Sequence, residues 1–496
     1  MAHLEVREAA GEVRTHYRVT FAVLAGAVAA YALLQSLVIP VLPTIQSGLH
    51  TTQNSVTWVL TAYLLSASIF TPIMGRLGDM FGKKRLLVVA LVALTVGSVL
   101  AALAGSIMVM IVARVIQGVG GGVLPLSFGI IRDEFPSEKV GGAVGVIAAL
   151  AAAGAGLGIV LAGPIVKALN YHWLFWIPAL ALAAVGLLAV VVVPESAVRT
   201  PGRISWPGTI LLSGWLVALI LGISEAPTWG WGSAAVVGLI ALAAVLCVAW
   251  VVVESRSTHP LIDMKMMRLK AVWTTNLVAL LLGVGMYASF AFLPEFLQTP
   301  TSAGYGFGVS ITVSGLILLP ASIAMFGFGV ASGPFSKRYG TKAVLVAGTV
   351  IGVMNFLLLT VAHAAIWQII IAMFIQGTGF GLAFAAMSSL VVAAVPSEQT
   401  GVASGMNANI RTIGGAIGAA VMSSIVTAGV HHGSLPAESG YTRGFALLTV
   451  AAAGAEIAAT LVPSTLRARS ASSKDTMPHA ELGLLAGGTL AGDQSE

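Results

Sequence analysis

Long apolar runs, separated by short polar segments, occupy nearly all of the chain from residue 19 to residue 463. A helix needs about 20 apolar residues to cross the hydrocarbon core of a bilayer. Fourteen runs reach this length, at residues 19–42, 56–75, 86–105, 107–131, 141–164, 173–194, 206–224, 233–254, 271–294, 310–332, 343–362, 365–392, 402–427 and 443–463. The pattern therefore predicts an all-α polytopic membrane protein. Because fourteen is an even number, both termini are expected on the same side.

The composition agrees with a membrane protein. Only 9% of the 496 residues are charged and 57% are hydrophobic, whereas soluble domains carry about a quarter charged residues. The net charge of +6 does not indicate a nucleic-acid partner, because the basic residues are scattered through short segments and form no single basic face. The single cysteine, Cys247, excludes an intramolecular disulfide and a cysteine-based metal site.

Motifs for nucleotide or metal chemistry are lacking. Phe81-Gly82-Lys83 is not a P-loop, because Leu77 breaks the required glycine spacing and Lys84 replaces the Ser or Thr. The pair His431-His432 has no further ligands nearby in the sequence and is a weak metal signal. We therefore expect no enzymatic activity, no nucleotide-driven pumping, no metal and no cofactor.

The segment from Gly75 to Arg85 is a highly charged break between two spans, with four basic residues and Asp79. Such a cluster is not expected in hydrocarbon, so we predict a short hairpin at the membrane surface. Lys and Arg accumulate on the cytoplasmic side of membranes, and placing this hairpin there puts 21 of the 25 Lys and Arg residues on that side. We expect a multi-pass plasma-membrane protein with both termini in the cytoplasm.

The two ends of the chain repeat one another. Gln117–Gly122 recurs as Gln376–Gly381, and Gly154–Gly158 as Gly414–Gly418, at offsets of 259 and 260. Ordered matches at nearly one offset indicate an internal duplication. The predicted organisation is a cytoplasmic leader 1–18, a six-helix bundle 19–194, an insert 195–270 with two further spans, a second six-helix bundle 271–463 and a disordered cytoplasmic tail 464–496. Repeated halves are typical of secondary transporters, whose substrate site lies between the halves near the bilayer midplane.

Three motifs carry a resemblance to a known family. They are Gly75-x-Leu77-x-Asp79-x-x-Gly82-Lys83-Lys84, Arg114-x-x-Gln117-Gly118-x-Gly120 and Trp58-x-x-Thr61-Ala62-Tyr63-Leu64. With these motifs in order, the chain resembles major facilitator superfamily transporters over about residues 19–463. The two central spans resemble those of the fourteen-helix drug:proton antiporter branch. This resemblance implies two six-helix bundles plus two central helices, alternating access, a small amphipathic substrate, protons as coupling ions and a monomer in the lipid bilayer.

The resemblance also implies a role for the charged segment. In one conformation Asp79 is expected to pair with basic groups at the inner ends of neighbouring helices. The gating residues implied are Gly75, Asp79, Gly82, Lys83 and Lys84. The alternative is a solvated loop that only sets the topology. Because the second half repeats the turn at Ser336–Lys342 with Lys337 in place of Asp79, this carboxylate is a candidate source of gating asymmetry.

Two arginines, Arg114 and Arg411, fall within predicted spans. An arginine there costs about 2.5–3.5 kcal/mol on insertion scales, so it normally faces a cavity or a partner. Neither belongs to the duplication, because the equivalent positions are Met373 and Ala151. The resemblance implies proton coupling for Arg114. For Arg411, a structural pairing and a functional role stay equally open.

Proton coupling requires a group that binds and releases a proton. Many relatives carry an aspartate in span one, but Gln35 stands at that position here. Glu295, near an outer helix end, and Glu456, inside span fourteen, are the acids that we consider, in that order. Our hypothesis is that one of them carries the coupling proton.

Aromatic and polar side chains within spans are candidates for a polyspecific pocket, although any one of them is more often a packing residue. The candidates are Tyr31, Gln35, Tyr63, Gln117, Tyr287, Asn407 and Arg411. The expected function is proton-coupled efflux of drugs or other amphipathic small molecules. The alternative keeps the fold but changes the activity, to selective export or facilitated passage of one endogenous metabolite or lipid without proton coupling.

Overall fold

Helices account for most of the protein. The structure, a computed structural model, describes residues 17–51, 53–196, 205–258, 260–396, 399–428 and 436–463. Residues 1–16 of the predicted leader, the predicted tail and the pair His431-His432 lie outside these ranges. Within them, fourteen helices are long and apolar enough to cross a membrane. The predicted fold class and the predicted number of spans are confirmed.

The spanning helices follow one another with short connections. They are α1 (Tyr17–Leu37), α2 (Gln53–Phe81), α3 (Lys83–Ala102), α4 (Ile107–Glu134), α5 (Ser137–Ala168), α6 (Trp173–Val192), α7 (Trp206–Trp229), α8 (Ala234–Arg256), α9 (Lys270–Gln298), α10 (Ile311–Tyr339), α11 (Thr341–Val361), α12 (Ile366–Ala394), α13 (Thr400–Val426) and α14 (Glu438–Leu461). Serine residues precede α4, α7, α8 and α10, and each side chain accepts a hydrogen bond from the backbone N–H three residues later. Serine is a preferred N-cap because it satisfies a backbone donor that the helix leaves free.

The charged segment between α2 and α3 departs from the predicted topology. Helix α2 continues well past the predicted end at residue 75, and α3 begins at Lys83. Gly82 alone makes the turn, at a φ of +113° that residues with a side chain rarely adopt. Gly340 makes the equivalent turn between α10 and α11 at a φ of +90°. The predicted turn between the two spans is present, but the prediction of a charged loop from Gly75 to Arg85 is wrong. The segment is helical except at Gly82, and packed helices surround the buried side chains of Asp79 and Lys83.

Helices α1–α6 and α9–α14 form two bundles, each with its own apolar core. Across the seam between them, α5 packs along α10 and α12, and α13 packs along α2 and α4. Small residues permit this close approach, which matters in lipid because apolar burial against lipid tails gives little driving force. At Gly405, for example, an added Cβ would lie 3.1 Å from the carbonyl oxygen of Thr71.

The insert 195–270 supplies α7 and α8, and α7 packs against both α2 and α13. The hairpin of α7 and α8 therefore covers one side of the seam. Trp215 and Trp250, whose ring centroids lie 5.9 Å apart, belong to an apolar cluster that includes buried residues of α13. Farther along, Trp231 Nε1 donates a 2.7 Å hydrogen bond to Ser424 Oγ of α13.

One buried acid ties this hairpin to the segment that follows it. Glu254, near the end of α8, is 2% exposed, and its Oε2 accepts a 3.1 Å hydrogen bond from the backbone N–H of Ile262. Its Oε1 lies against Gly208 in the first turn of α7, where the positive end of the helix dipole favours a carboxylate. The acid thereby joins α7, α8 and the segment leading to α9.

Glu254→Ala is expected to lower the stability of the protein by about 1–3 kcal/mol, because the Ile262 N–H would be left buried without a partner. Glu254→Gln, which keeps a side-chain oxygen, should lose less. Thermal unfolding in detergent measures both, with the exposed acid Glu138→Ala as the control. An unchanged melting temperature for Glu254→Ala would contradict this role.

Candidate functional site

A buried ammonium lies where α2 meets α3. We call this end of the molecule, which carries the Gly82 and Gly340 turns, the basic end. Lys83 Nζ lies 2.6 Å from Asp133 Oδ2 of α4 and 3.6 Å from Asp79 Oδ1 of α2, and all three side chains are at most 2% exposed. One cation is therefore shared between two carboxylates in the interior of the N-terminal half.

The neighbouring gating candidates contact a different acid. Glu195 Oε1 accepts a 3.3 Å hydrogen bond from the backbone N–H of Lys84, and an added Cβ at Gly82 would lie 2.5 Å from this oxygen. Arg85 Nε lies 3.6 Å from Glu195 Oε2 at a largely exposed position. These contacts stabilise the turn itself.

Asp79 faces the second half of the protein. An added Cβ at Gly401, in the first turn of α13, would lie 3.2 Å from both oxygens of Asp79, and one at Gly75 would lie 2.7 Å from the carbonyl oxygen of Gly401. Neither Asp79 oxygen accepts a hydrogen bond from a described residue. The N-terminal end of a helix carries partial positive charge, so the start of α13 attracts this carboxylate across the seam.

Hydrogen bonds also join the halves near the basic end. Arg132 of α4 donates to the carbonyl oxygen of Val392 in α12 and, at 2.8 Å, to Thr400 Oγ1 of α13. Ser389 Oγ donates a 2.9 Å bond to the carbonyl oxygen of Gly141. The two halves are therefore held together at this end of the seam.

Arg114 is fully buried within the first half. Its Nε donates at 3.0 Å to the carbonyl oxygen of Val59, its Nη1 donates at 2.6 Å to Gln117 Oε1, and its guanidinium carbon lies 4.4 Å from the centre of the Tyr63 ring. Gln117 in turn donates at 3.1 Å to Ser98 Oγ. Among the described residues, Arg114 forms no ion pair and its Nη2 has no partner. The hydrogen bonds and the ring contact of the Arg114 guanidinium are therefore made with uncharged groups.

A cavity lies between the halves near the middle of the spans. The side chains that line it include Tyr31, Gln35, Ser68 and Thr71 from the first half and Tyr287, Phe384, Asn409, Arg411 and Thr412 from the second. Its volume is about 70 Å³, well below the roughly 300–1,000 Å³ of sites for drug-sized ligands. The structure is therefore a closed form, and the cavity must widen to accept such a molecule.

Four of the seven predicted cavity residues line this space, namely Tyr31, Gln35, Tyr287 and Arg411. Tyr63 lies behind Tyr31, to whose oxygen its hydroxyl donates at 3.3 Å. Gln117 belongs to the Arg114 network, away from the cavity wall.

Asn407 bonds within the second half, with its Nδ2 donating at 2.9 Å to Asn276 Oδ1 of α9. Its neighbour Asn409 reaches the seam and donates at 3.0 Å to the carbonyl oxygen of Ser68. The sequence analysis did not select Ser68, Thr71 or Thr412, although polar positions three residues apart on α2 are a signal for such a wall.

The candidates for proton coupling do not come together. Glu295 is exposed near the end of α9, and Glu456 of α14 accepts a hydrogen bond from the Thr349 hydroxyl of α11. Neither lines the cavity, and no carboxylate is among the described residues that do. Arg114 lies in the other half of the protein from both acids.

Comparison with known proteins decides the family. A sequence model of the Major Facilitator Superfamily matches residues 24–419. The chain belongs to the major facilitator superfamily. Its fourteen membrane-length helices fit the fourteen-helix branch of that superfamily, and the chain is accordingly a transporter.

Several relatives of the chain are named as export, multidrug transport or resistance proteins. The tetracenomycin C resistance and export protein of Streptomyces glaucescens is 28% identical over 392 residues, which is 78% of this chain and 72% of the relative. The multidrug transporter protein MdtP of Bacillus subtilis is 28% identical over 76% of this chain and 69% of its own length. A multidrug resistance protein B homolog of Mycobacterium tuberculosis is 29% identical over 424 residues, which is 82% of this chain and 77% of the relative.

Solved structures of the superfamily share the fold. The human organic anion transporter MFSD10 aligns with a TM-score of 0.63 at 17% identity, covering 90% of this chain and 99% of that one. The proton:xylose symporter XylE aligns with a TM-score of 0.62 at 14% identity, and the alignment covers 90% of this chain and 96% of the XylE chain. At these identities the likeness concerns the fold alone.

Lys83→Met is expected to destabilise the protein by about 3–5 kcal/mol, because it leaves the carboxylates of Asp79 and Asp133 buried without their shared cation. Lys84→Met removes the same charge from the adjacent, partly exposed side chain and should have little effect. Thermal unfolding of both variants in detergent measures the difference. Equal melting temperatures would show that the buried cluster contributes nothing to stability.

Proposed function

We propose that this transporter exports amphipathic small molecules across the plasma membrane by alternating access, coupled to protons. The observation that carries the proposal is the polar cavity between the two repeated halves. Hydrogen bonds across the seam close this cavity at the basic end. The export function named for the tetracenomycin C resistance and export protein supports the direction of transport. The protein is expected to act as a monomer.

The basic end is assigned to the cytoplasm, with both termini on that side. This assignment rests on the excess of Lys and Arg in the segments at that end, since basic residues accumulate on the cytoplasmic side of membranes. The closed form then excludes cytoplasmic substrate from the cavity. Loading requires the contacts at the basic end to separate.

The gate in this proposal consists of Asp79 and Gly75 of α2 against Gly401 of α13, with the Arg132 hydrogen bonds beside them. The carboxylate meets the start of α13 only when the halves close at this end, so it favours one of two states. At the equivalent turn of the second half, Lys337 is exposed. The electrostatic contribution to gating is therefore assigned to the first half alone.

Proton coupling is assigned to Arg114 and to Glu295 or Glu456. Glu456 is partly buried within a span and accepts a hydrogen bond from the Thr349 hydroxyl of α11, and acids within spans commonly mark ion pathways. Glu295→Gln and Glu456→Gln in proteoliposomes test the acids. Undiminished pH-driven transport in both variants would remove them from the mechanism.

One observation favours a second candidate, selective export or facilitated passage of one endogenous metabolite or lipid without protons. No carboxylate is among the described residues of the cavity wall, and Gln35 occupies the wall where the resembled family carries an aspartate. A transporter of this kind would respond to the gradient of its substrate and not to a pH gradient.

A compound panel in cells overexpressing the transporter separates the two candidates. The first predicts resistance several-fold above the vector control for several unrelated amphipathic compounds, and loss of this resistance on adding a protonophore. The second predicts no broad resistance and no effect of the protonophore. A Gly401→Leu variant, which places a bulky side chain in the contact between α2 and α13, serves as the inactive control.

A further inference from the structure

Arg411 lies near the middle of α13 and lines the cavity with its side chain partly exposed. Its depth is about 16 Å from the start of the helix at 1.5 Å per residue. Among the described residues it forms no ion pair and no side-chain hydrogen bond, and its guanidinium carbon stacks 5.1 Å from the centre of the Phe384 ring. A cation at this depth without a counter-charge is costly, so an anion entering the cavity would be stabilised there.

The first half adds to the positive potential of the cavity. The Tyr31 phenol on the opposite wall is within electrostatic range of both Arg411 and Arg114. The partners of Arg114 are neutral, so its charge is not cancelled. Two guanidinium groups thus act on a small space whose described wall contains no carboxylate.

Aromatic rings form much of the remaining wall. Tyr287 packs on Gly415, one turn of α13 beyond Arg411, and Phe384 lies beneath the guanidinium. Phenol hydroxyls and the side chains of Asn409 and Gln35 supply hydrogen-bonding groups at the edges of this space. The arrangement suits a planar aromatic body joined to an acidic group.

We propose that the exported substrates are anionic aromatic amphipaths, in which a carboxylate or an acidic phenol pairs with Arg411 and the ring system lies among Tyr31, Tyr287 and Phe384. This inference rests on the proposed export function and narrows its substrate class. The planar guanidinium of an arginine can donate hydrogen bonds to both oxygens of a carboxylate at once, which strengthens and orients the pair. A lipophilic cation would meet Arg411 on the cavity wall, with the charge of Arg114 nearby and no balancing acid among the described lining residues, so it is excluded.

Binding to the purified full-length protein in detergent tests the inference at mildly alkaline pH. The probes are fluorescein, an anion under these conditions, and ethidium, a permanent cation of comparable ring size. The wild-type protein should bind fluorescein and not ethidium. Arg411→Gln should weaken fluorescein binding about ten-fold or more, as expected for loss of a charge-assisted hydrogen bond, and Arg411→Lys should recover part of the affinity.

Arg443→Gln removes one arginine from an exposed site on α14 and is the matched control. It should bind fluorescein as the wild type does. Tighter binding of ethidium than of fluorescein, absence of fluorescein binding to the wild type, or equal losses in Arg411→Gln and Arg443→Gln would each overturn the inference.

Transport in everted vesicles separates this inference from the export function on which it depends. Uptake of ethidium without fluorescein would retain export and overturn the anionic substrate class. Uptake of neither dye by vesicles, combined with selective fluorescein binding by the purified protein, would support the site and count against export.

Discussion

The charge balance at the basic end constrains how the two halves meet. One ammonium, Lys83, serves two buried carboxylates, Asp79 and Asp133, and lies closer to Asp133. Arg76 is within electrostatic range of Asp79 but is partly exposed, so solvent screens it. Much of the charge of Asp79 is therefore left for the start of α13 to stabilise. In the proposed gate, closure places this carboxylate beside the positive end of α13, whereas opening would expose it to water. The difference in free energy between these two environments would then set the population of states.

In the middle of the protein, Arg114 and Arg411 are cations without a carboxylate partner among the described residues. Arg114 is surrounded by a carbonyl oxygen, an amide and a tyrosine ring within its own half, so it needs no partner across the seam. Arg411 has an aromatic ring beneath it and the cavity in front of it. In the proposed mechanism, the protein itself balances the charges of the basic end on closing, whereas a bound molecule would balance the charge in the cavity.

The sequence predicts the parts of this architecture that depend on local patterns. The apolar runs give fourteen spans, and the matched turns at Gly82 and Gly340 reflect the internal duplication. The charged segment was predicted as a surface loop because its charges have no place in hydrocarbon. Helix α2 continues through Asp79 because neighbouring helices bury this side chain. Those helix contacts cannot be read from the local sequence pattern.

Side chains in the spans were harder to assign because the direction each faces depends on the rotation of its helix. Tyr287 and Arg411 face the cavity, but Asn407 turns toward Asn276 inside the second half. Gln117 lies in a motif that is repeated in the second half as Gln376, and both glutamines bond to a serine of an adjacent helix. That shared pattern indicates a packing role, which a single motif match does not reveal.

Cysteine accessibility tests the central claim, that Asp79 holds the basic end closed against α13. In a Cys247→Ala background, a cysteine at the cavity position Thr412 is labelled with a membrane-impermeant maleimide in everted vesicles, which expose the cytoplasmic face. The account predicts slow labelling, a clear increase with Asp79→Asn, and no increase with Lys337→Gln at the equivalent turn. Rapid labelling without the Asp79 change, or equal increases for both substitutions, would contradict it.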